Sequence, residues 1–273
     1  MKIRMVFFSA TGVTESVARV IRDRFADLGA EVVCSDITPV ESRKEQMTLD
    51  GYDAFVIGAP IHSNRAPRVV REWLGGLAGG GRKAAMFFTY GGFSVHPTHH
   101  STREILAASG FSVVSSAEFL GKHTFNLGGW AAMADRPNDD DFAVARLFAE
   151  KTYRRFTGED PGVLGDLEKT AHSEEALDNF ELFRFAAVTQ LPTRDGMECS
   201  MCMKCGDVCP TGAMDVQKGE ADRQRCIVCL GCVAACPEGI LRINDLRALW
   251  PMKLQGEGET EESLNMKVSK VYL

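Results

Sequence analysis

Apolar residues follow two rhythms over the first 156 positions and lose both afterwards. Short, almost wholly apolar runs at 2–9, 31–37, 53–59, 82–89 and 111–120 have the length of strands. Between them lie longer stretches in which apolar positions recur every three or four residues. Residues 15–28 carry Val17, Val20, Ile21, Phe25 and Leu28 at helical spacing, and Gly29 closes the stretch. Further helices are predicted around 67–77, from about 98 to 109 with Gly110 as the stop, and over 138–155. Strands that are apolar on both sides must be buried on both faces. Their alternation with helices, joined by right-handed crossovers, predicts an α/β fold with a doubly wound five-stranded parallel sheet.

The pattern changes after residue 156. Gly158, Pro161 and Gly165 mark a linker over 157–195, with a short helix at 173–185 that reads as a packing strut between domains or, alternatively, as cover for part of a partner chain. A cysteine-rich unit occupies 196–245. The tail, 246–273, carries the acidic run 256–262 and is expected to be solvated and partly disordered.

Eight of the nine cysteines fall in two runs, Cys199-x2-Cys202-x2-Cys205-x3-Cys209-Pro210 and Cys226-x2-Cys229-x2-Cys232-x3-Cys236-Pro237. This is the spacing of bacterial-type ferredoxins and specifies two 4Fe–4S clusters. Three thiolates of each run reach one cluster, and the fourth lies too far along the chain and crosses to the other. One set is therefore Cys199, Cys202, Cys205 and Cys236; the other is Cys226, Cys229, Cys232 and Cys209. Zinc is the alternative for paired CxxC motifs, but it requires neither a third cysteine at regular spacing nor the proline after the fourth. The ninth, Cys34, sits in a strand and reads as a small core residue.

Charge and composition narrow the partners. The net charge of −6 comes with no lysine- or arginine-rich stripe, which argues against nucleic acid or an anionic membrane. No apolar run is long enough to span a bilayer, and 1–8 has neither the length nor the cleavage site of a signal peptide. Thiolate ligands without a disulfide framework fit a reducing cytoplasm.

Directly after the first strand comes Ser9-Ala10-Thr11-Gly12-Val13-Thr14, leading into a helix. Hydroxyls, a glycine that lets the backbone curl and a helix N-terminus make an anion cradle; an ordinary capped turn is the alternative. The segment resembles the FMN-phosphate loop of flavodoxins, (S/T)-x-T-G-x-T, with Val13 where many members carry Asn. The resemblance implies a 2-1-3-4-5 sheet with FMN at the carboxyl ends of the strands. It places phosphate contacts at Ser9, Thr11, Gly12, Val13 and Thr14. Ring contacts follow at Pro60, Ile61, His62, Ser63 and Asn64, and at Thr89, Tyr90, Gly91, Gly92 and Phe93. Typical flavodoxins sandwich the ring between aromatic residues; here only Tyr90 and Phe93 offer a stacking face, and Trp73 reads as a helix core residue.

The chain as a whole resembles fused flavodoxin–ferredoxin proteins of anaerobes, in which a small α+β ferredoxin-like domain follows the flavodoxin-like one. Gly121-Lys-His123-Thr-Phe125 and Arg136-Pro137-Asn-Asp139 belong to that likeness. It implies FMN, two 4Fe–4S clusters, and electron exchange with a redox protein as donor or acceptor. The alternative function is an FMN-dependent reductase of a small quinone-like molecule fed by its own clusters. For that reading His62, Arg65 and His96 are the catalytic candidates, beside His99 and His100. Arg65 also stands as a candidate cation for an anionic reduced flavin. A homodimer with one chain's clusters beside the other's flavin is compatible with the linker.

Overall fold

The computed structural model describes every residue except Gln46, and for His96 the backbone alone. The elements are β1 (Lys2–Phe7), α1 (Val13–Asp27), β2 (Glu31–Asp36), β3 (Ala54–Pro60), α2 (Arg68–Gly75), β4 (Lys83–Tyr90), α3 (His96–Ala108), β5 (Ser112–Leu120) and α4 (Asp139–Thr157). After these come α5 (Glu174–Ala187), α6 (Lys204–Asp207), β6 (Met214–Asp215), β7 (Glu220–Ala221), α7 (Gly231–Ala235), α8 (Leu249–Glu257), α9 (Glu261–Asn265) and β8 (Lys270–Tyr272).

The main sheet runs β2-β1-β3-β4-β5-β8, and the first five strands are parallel. This is the flavodoxin-like 2-1-3-4-5 order. Side chains alternate across it as strand geometry requires. Ile3, Met5 and Phe7 join Val17, Ile21, Phe25 and Phe148 beneath α1 and α4, whereas Val6 and Phe8 join Val70, Leu74 and Leu106 beneath α2 and α3. Cys34 packs against the first of these clusters, and Trp73 against the second.

The chain's end extends the five parallel strands and departs from the expectation of a solvated tail. The sheet has a sixth strand, because β8 pairs antiparallel with β5. The tail is also folded: Trp250 and Leu264 are buried, and Trp250 Nε1 donates to Glu261 Oε1 at 2.7 Å. The acidic run suggested solvation, but its glutamates are used locally, with Glu259 accepting from Lys267 at 2.5 Å. Apolar anchors spaced between charges outweigh the composition.

The linker is likewise pinned. Leu167 is buried against the α2–α3 face, and the Gly165 N–H donates to the carbonyl of Leu273 at 3.1 Å. Helix α5 starts on Ser173, whose hydroxyl accepts from the Ala176 N–H, and buries Leu177. Of its apolar positions only Leu177 is buried, Leu182 and Phe183 being exposed, and the helix is held chiefly by Glu174, Asp178 and Glu181 pairing with Arg65.

Candidate functional site

The loop after β1 is shaped by its own side chains. Gly12 caps α1 in the left-handed region, φ 85°, where a side chain would be strained. The Ser9 hydroxyl accepts from the Glu15 N–H at 3.0 Å, and the Ser9 N–H donates to Thr38 Oγ1 at 2.7 Å. The first-turn N–H groups of α1, which have no carbonyl in a preceding turn, face outward at the carboxyl edge of the sheet. Thr14 and Thr89 join their hydroxyls at 2.7 Å, tying this loop to the end of β4.

Two adjoining cavities lie at that edge. The narrower one is lined by Ser9, Thr11, Val13 and Thr14, by Pro60, Ile61 and His62, and by Thr89, Tyr90 and Gly91. The wider one, about 390 Å³, is lined by Ile61, Ser63, Asn64, Tyr90, Gly91 and Phe93 from the same segments. Gly12 and Gly92 line neither cavity. They set the course of the backbone instead, Gly92 at φ 88°.

Residues outside those segments also line the wider cavity, among them His123, Phe125, Trp130, Arg184 and Lys253. Trp130 follows β5 and meets Phe93, His123, Phe125 and Trp250 with ring centroids 5.0–6.2 Å apart. Sequence reading offered only Tyr90 and Phe93 as aromatic faces; Trp130 and Trp250 were missed because neither sits in a recognised loop. Trp130 Nε1 is enclosed with no hydrogen-bond partner, a buried donor that a ligand acceptor would satisfy. An aromatic wall, an orphaned donor and a neutral N–H cradle at one sheet edge fit a flavin mononucleotide in ring and phosphate alike.

The histidines here are neutral. Burial, reinforced by Arg184 and Lys253, lowers His123 from 6.5 to about 3. Its Nδ1 accepts from the Phe125 N–H at 3.0 Å, which places the remaining proton on Nε2. His62 is lowered well below its ordinary value by burial, then by Arg184 and His123. His99 faces neither cavity; it bonds Ser116 Oγ at 2.6 Å and Glu118 Oε2 at 3.2 Å. The side chain of His96 lies outside the described residues.

Arg65 is not a flavin-side cation. It is 2% exposed and turned away, paired with Glu174 at 2.8 Å, Asp178 at 2.5 Å and Glu181 at 2.7 Å on α5. Three carboxylates outcompete the cavity for one guanidinium. Arg184, from the same helix, stands at the cavity wall instead.

The cysteine unit carries two cavities. Cys199, Cys202, Cys205 and Cys236 ring one cavity, and Cys209, Cys226, Cys229 and Cys232 ring another. Among the described residues, no three His, Cys, Asp or Glu side chains converge as on a single metal ion. The first set is open, with Cys202 exposed; in the second, Cys229 and Cys232 are buried. Burial pushes the Cys229 thiol up to about 12 and raises Cys226 and Cys232 as well. Such thiols lose their protons when metal binds. Burial also acts on Cys236, but the N–H groups of Leu241, Ile240, Glu238 and Gly239 outweigh it and hold the thiol low.

The second set abuts the first domain. Val228 and Leu230 are buried in one apolar cluster with Tyr90, Phe125 and Trp130, and a Cβ on Gly231 would lie 2.9 Å from the Ala10 carbonyl oxygen. The phosphate loop and the second cysteine loop therefore touch.

Residues 191–238 match the model of a 4Fe–4S dicluster domain family. A flavodoxin from the domain Archaea aligns over 57% of this chain and 99% of its own, at 16% identity and a TM-score of 0.45. Flavodoxin 1 from Bacillus cereus aligns over 56% and 98%, at 20% identity and a TM-score of 0.42. The rubredoxin oxygen:oxidoreductase of the anaerobe Desulfovibrio gigas aligns over 58% and 36%, at 18% identity and a TM-score of 0.45. No curated protein matches the chain. No helix among the described residues is long and apolar enough to cross a membrane. By the strand order of its sheet and the family of its cysteine unit, the chain joins a flavodoxin-like α/β domain to a ferredoxin-like 4Fe–4S dicluster domain.

Proposed function

We propose that the protein is an electron-transfer iron–sulfur flavoprotein that links one-electron and two-electron redox partners. Its eight cysteines hold two 4Fe–4S clusters in the two sets given above, and FMN lies in the paired cavities at the sheet edge. The observation that carries this reading is the contact between Gly231 in the second cysteine loop and Ala10 in the phosphate loop. It sets one cysteine cavity beside the flavin cavities and leaves the other facing solvent.

When bound, FMN supplies the ability to take electrons one or two at a time, and each cluster the ability to take one. The chain's residues do the rest. Ser9, Thr11 and Thr14 offer hydroxyls to the phosphate, and the first turn of α1 offers N–H groups. Trp130, Phe93 and Tyr90 wall the ring and exclude water from it. Val228 and Leu230 seal the passage between ring and second cluster, which keeps the path dry and short. The first set, with Cys202 exposed, is where an external redox protein delivers or collects electrons. For the reductase alternative, Arg65 is committed to α5, His62 lines the narrower cavity as a buried imidazole held well below its ordinary pKa, and the side chain of His96 lies outside the described residues.

Anaerobic reconstitution followed by iron, sulfide and flavin assays tests the reading. About eight irons and one FMN per chain are expected. Stoichiometric zinc without flavin would overturn it.

A further inference from the structure

Among the described cations, Arg184 alone lines both the phosphate-side and the ring-side cavity. Its Nη2 donates to the Val228 carbonyl at 2.7 Å, inside the loop between Cys226 and Cys229. The guanidinium lies 5.1 Å from the centroid of the Phe125 ring, and its Nε is enclosed without a partner. Glu181, three residues earlier on α5, is already paired with Arg65 and Arg71. Among the described residues, no carboxylate forms an ion pair with Arg184, which touches both the candidate flavin site and the second cysteine loop.

We propose that Arg184 is a positioning residue that couples the two centres: its fixed positive charge stabilises an added electron on the flavin or on the neighbouring cluster, so their potentials rise together. Arg184 itself gains and loses nothing; the electron comes from, or leaves to, the external redox protein through the first cluster. The inference rests on the reading that FMN and the clusters occupy these cavities. The physical reason is proximity in a medium of low dielectric, where a cation's field is weakly screened. Burial lowers Arg184 itself to about 10, against the pull of Cys229 and Cys226, which leaves it charged at neutral pH. Placing the cation on the linker helix also explains why that helix is anchored so firmly, through Arg65, to the loop after β3.

The test is spectroelectrochemical titration of the full-length, reconstituted protein, with flavin absorbance and cluster paramagnetic resonance read separately. In Arg184→Gln the flavin and the second cluster should each lose about tenfold in electron occupancy at fixed potential, which is about 59 mV for a one-electron couple. The first cluster should stay within about twofold, and Arg184→Lys, which keeps the charge, should hold all three centres within about twofold. Arg184→Met keeps an unbranched apolar side chain at this position without the charge and is read in place of Arg184→Gln if that variant sheds cofactors. Unshifted potentials in the neutral variant overturn the coupling role and leave the electron-transfer reading intact. Equal shifts in all three centres, or shifts in Arg184→Lys matching those in the neutral variant, also overturn it, since a merely structural role would produce either. Wild-type protein without FMN or iron overturns the underlying reading instead.

Discussion

The two cysteine loops have the same ligand spacing, 27 positions apart, and opposite surroundings. Both force non-glycine residues into the left-handed region at matching places: Met201 and Val228 at φ 58° and 53°, Met203 and Leu230 at φ 66° and 59°. The backbone demand is thus set by the thiolates in both copies. What differs is where the other side chains go. Val228 and Leu230 are 0% and 1% exposed, whereas Met203 is 45% exposed. Lys204 of the first loop corresponds to Gly231 of the second, where any side chain would strike Ala10. One copy is a docking plug against the flavodoxin-like domain, and the other is a surface. The comparison teaches that a duplicated module can carry identical ligand chemistry while assigning inner and outer positions through non-ligand residues alone.

The comparison is broken most directly at its buried partner. Leu230→Ala should cost about 2–5 kcal/mol, the usual penalty for an enclosed leucine, measured by chemical denaturation of the reconstituted protein. A loss no larger than that of Met203→Ala would show the two loops to be equivalent. Gly231→Lys, which copies the first loop's residue into the second, should separate the loop from Ala10. Internal transfer to the flavin, followed by stopped flow, should slow as the two loops are pushed apart. An unchanged rate would mean that the contact is not on the path.

Arg65→Gln tests whether α5 must be anchored for the inner loop to stay sealed. It removes the shared partner of Glu174, Asp178 and Glu181 and should cost about 1.5–3 kcal/mol, the range for hydrogen bonds to charged groups. Hydrogen exchange should rise along α5 and in the second loop, and not in the first; equal protection throughout would refute the anchoring role.

Acid should act on the inner side too. His123 is held far below its unfolded value of 6.5, so below that pH the unfolded chain takes up a proton that the folded chain refuses. Its stabilising contribution is complete above 6.5 and drains away toward about 3, at about 1.4 kcal/mol per pH unit. Comparing denaturation of wild type and His123→Phe across this window isolates the slope, and parallel curves would rule it out. The smallest effect is expected at the outer loop: Met203→Ala should change stability by no more than about 0.5 kcal/mol. A larger loss in thermal denaturation would mean that this face is covered.

Much of this architecture was legible because it is periodic or stoichiometric. The five parallel strands follow from apolar runs that only a doubly covered sheet can bury. The grouping of eight cysteines into two sets was read from their spacing, three of each run together and the fourth crossing over. The segments 60–64 and 89–93 were singled out by the resemblance to flavodoxins, and both contribute to the lining of the cavities at the carboxyl edge of the sheet. Nothing local, by contrast, marked Arg65 as a strut and Arg184 as the cavity cation. Neither arginine's sequence neighbours name its partners, and whether each meets carboxylates or a cavity depends on how α5 packs. Trp130, Trp250 and the sixth strand were hidden for the same reason. Periodicity and ligand spacing are written over short stretches of chain, so the amino-acid order alone declares them; the pairing of charges, the closing of an aromatic wall and the choice of which cysteine loop faces inward are long-range contacts, settled only when distant segments compete for the same space.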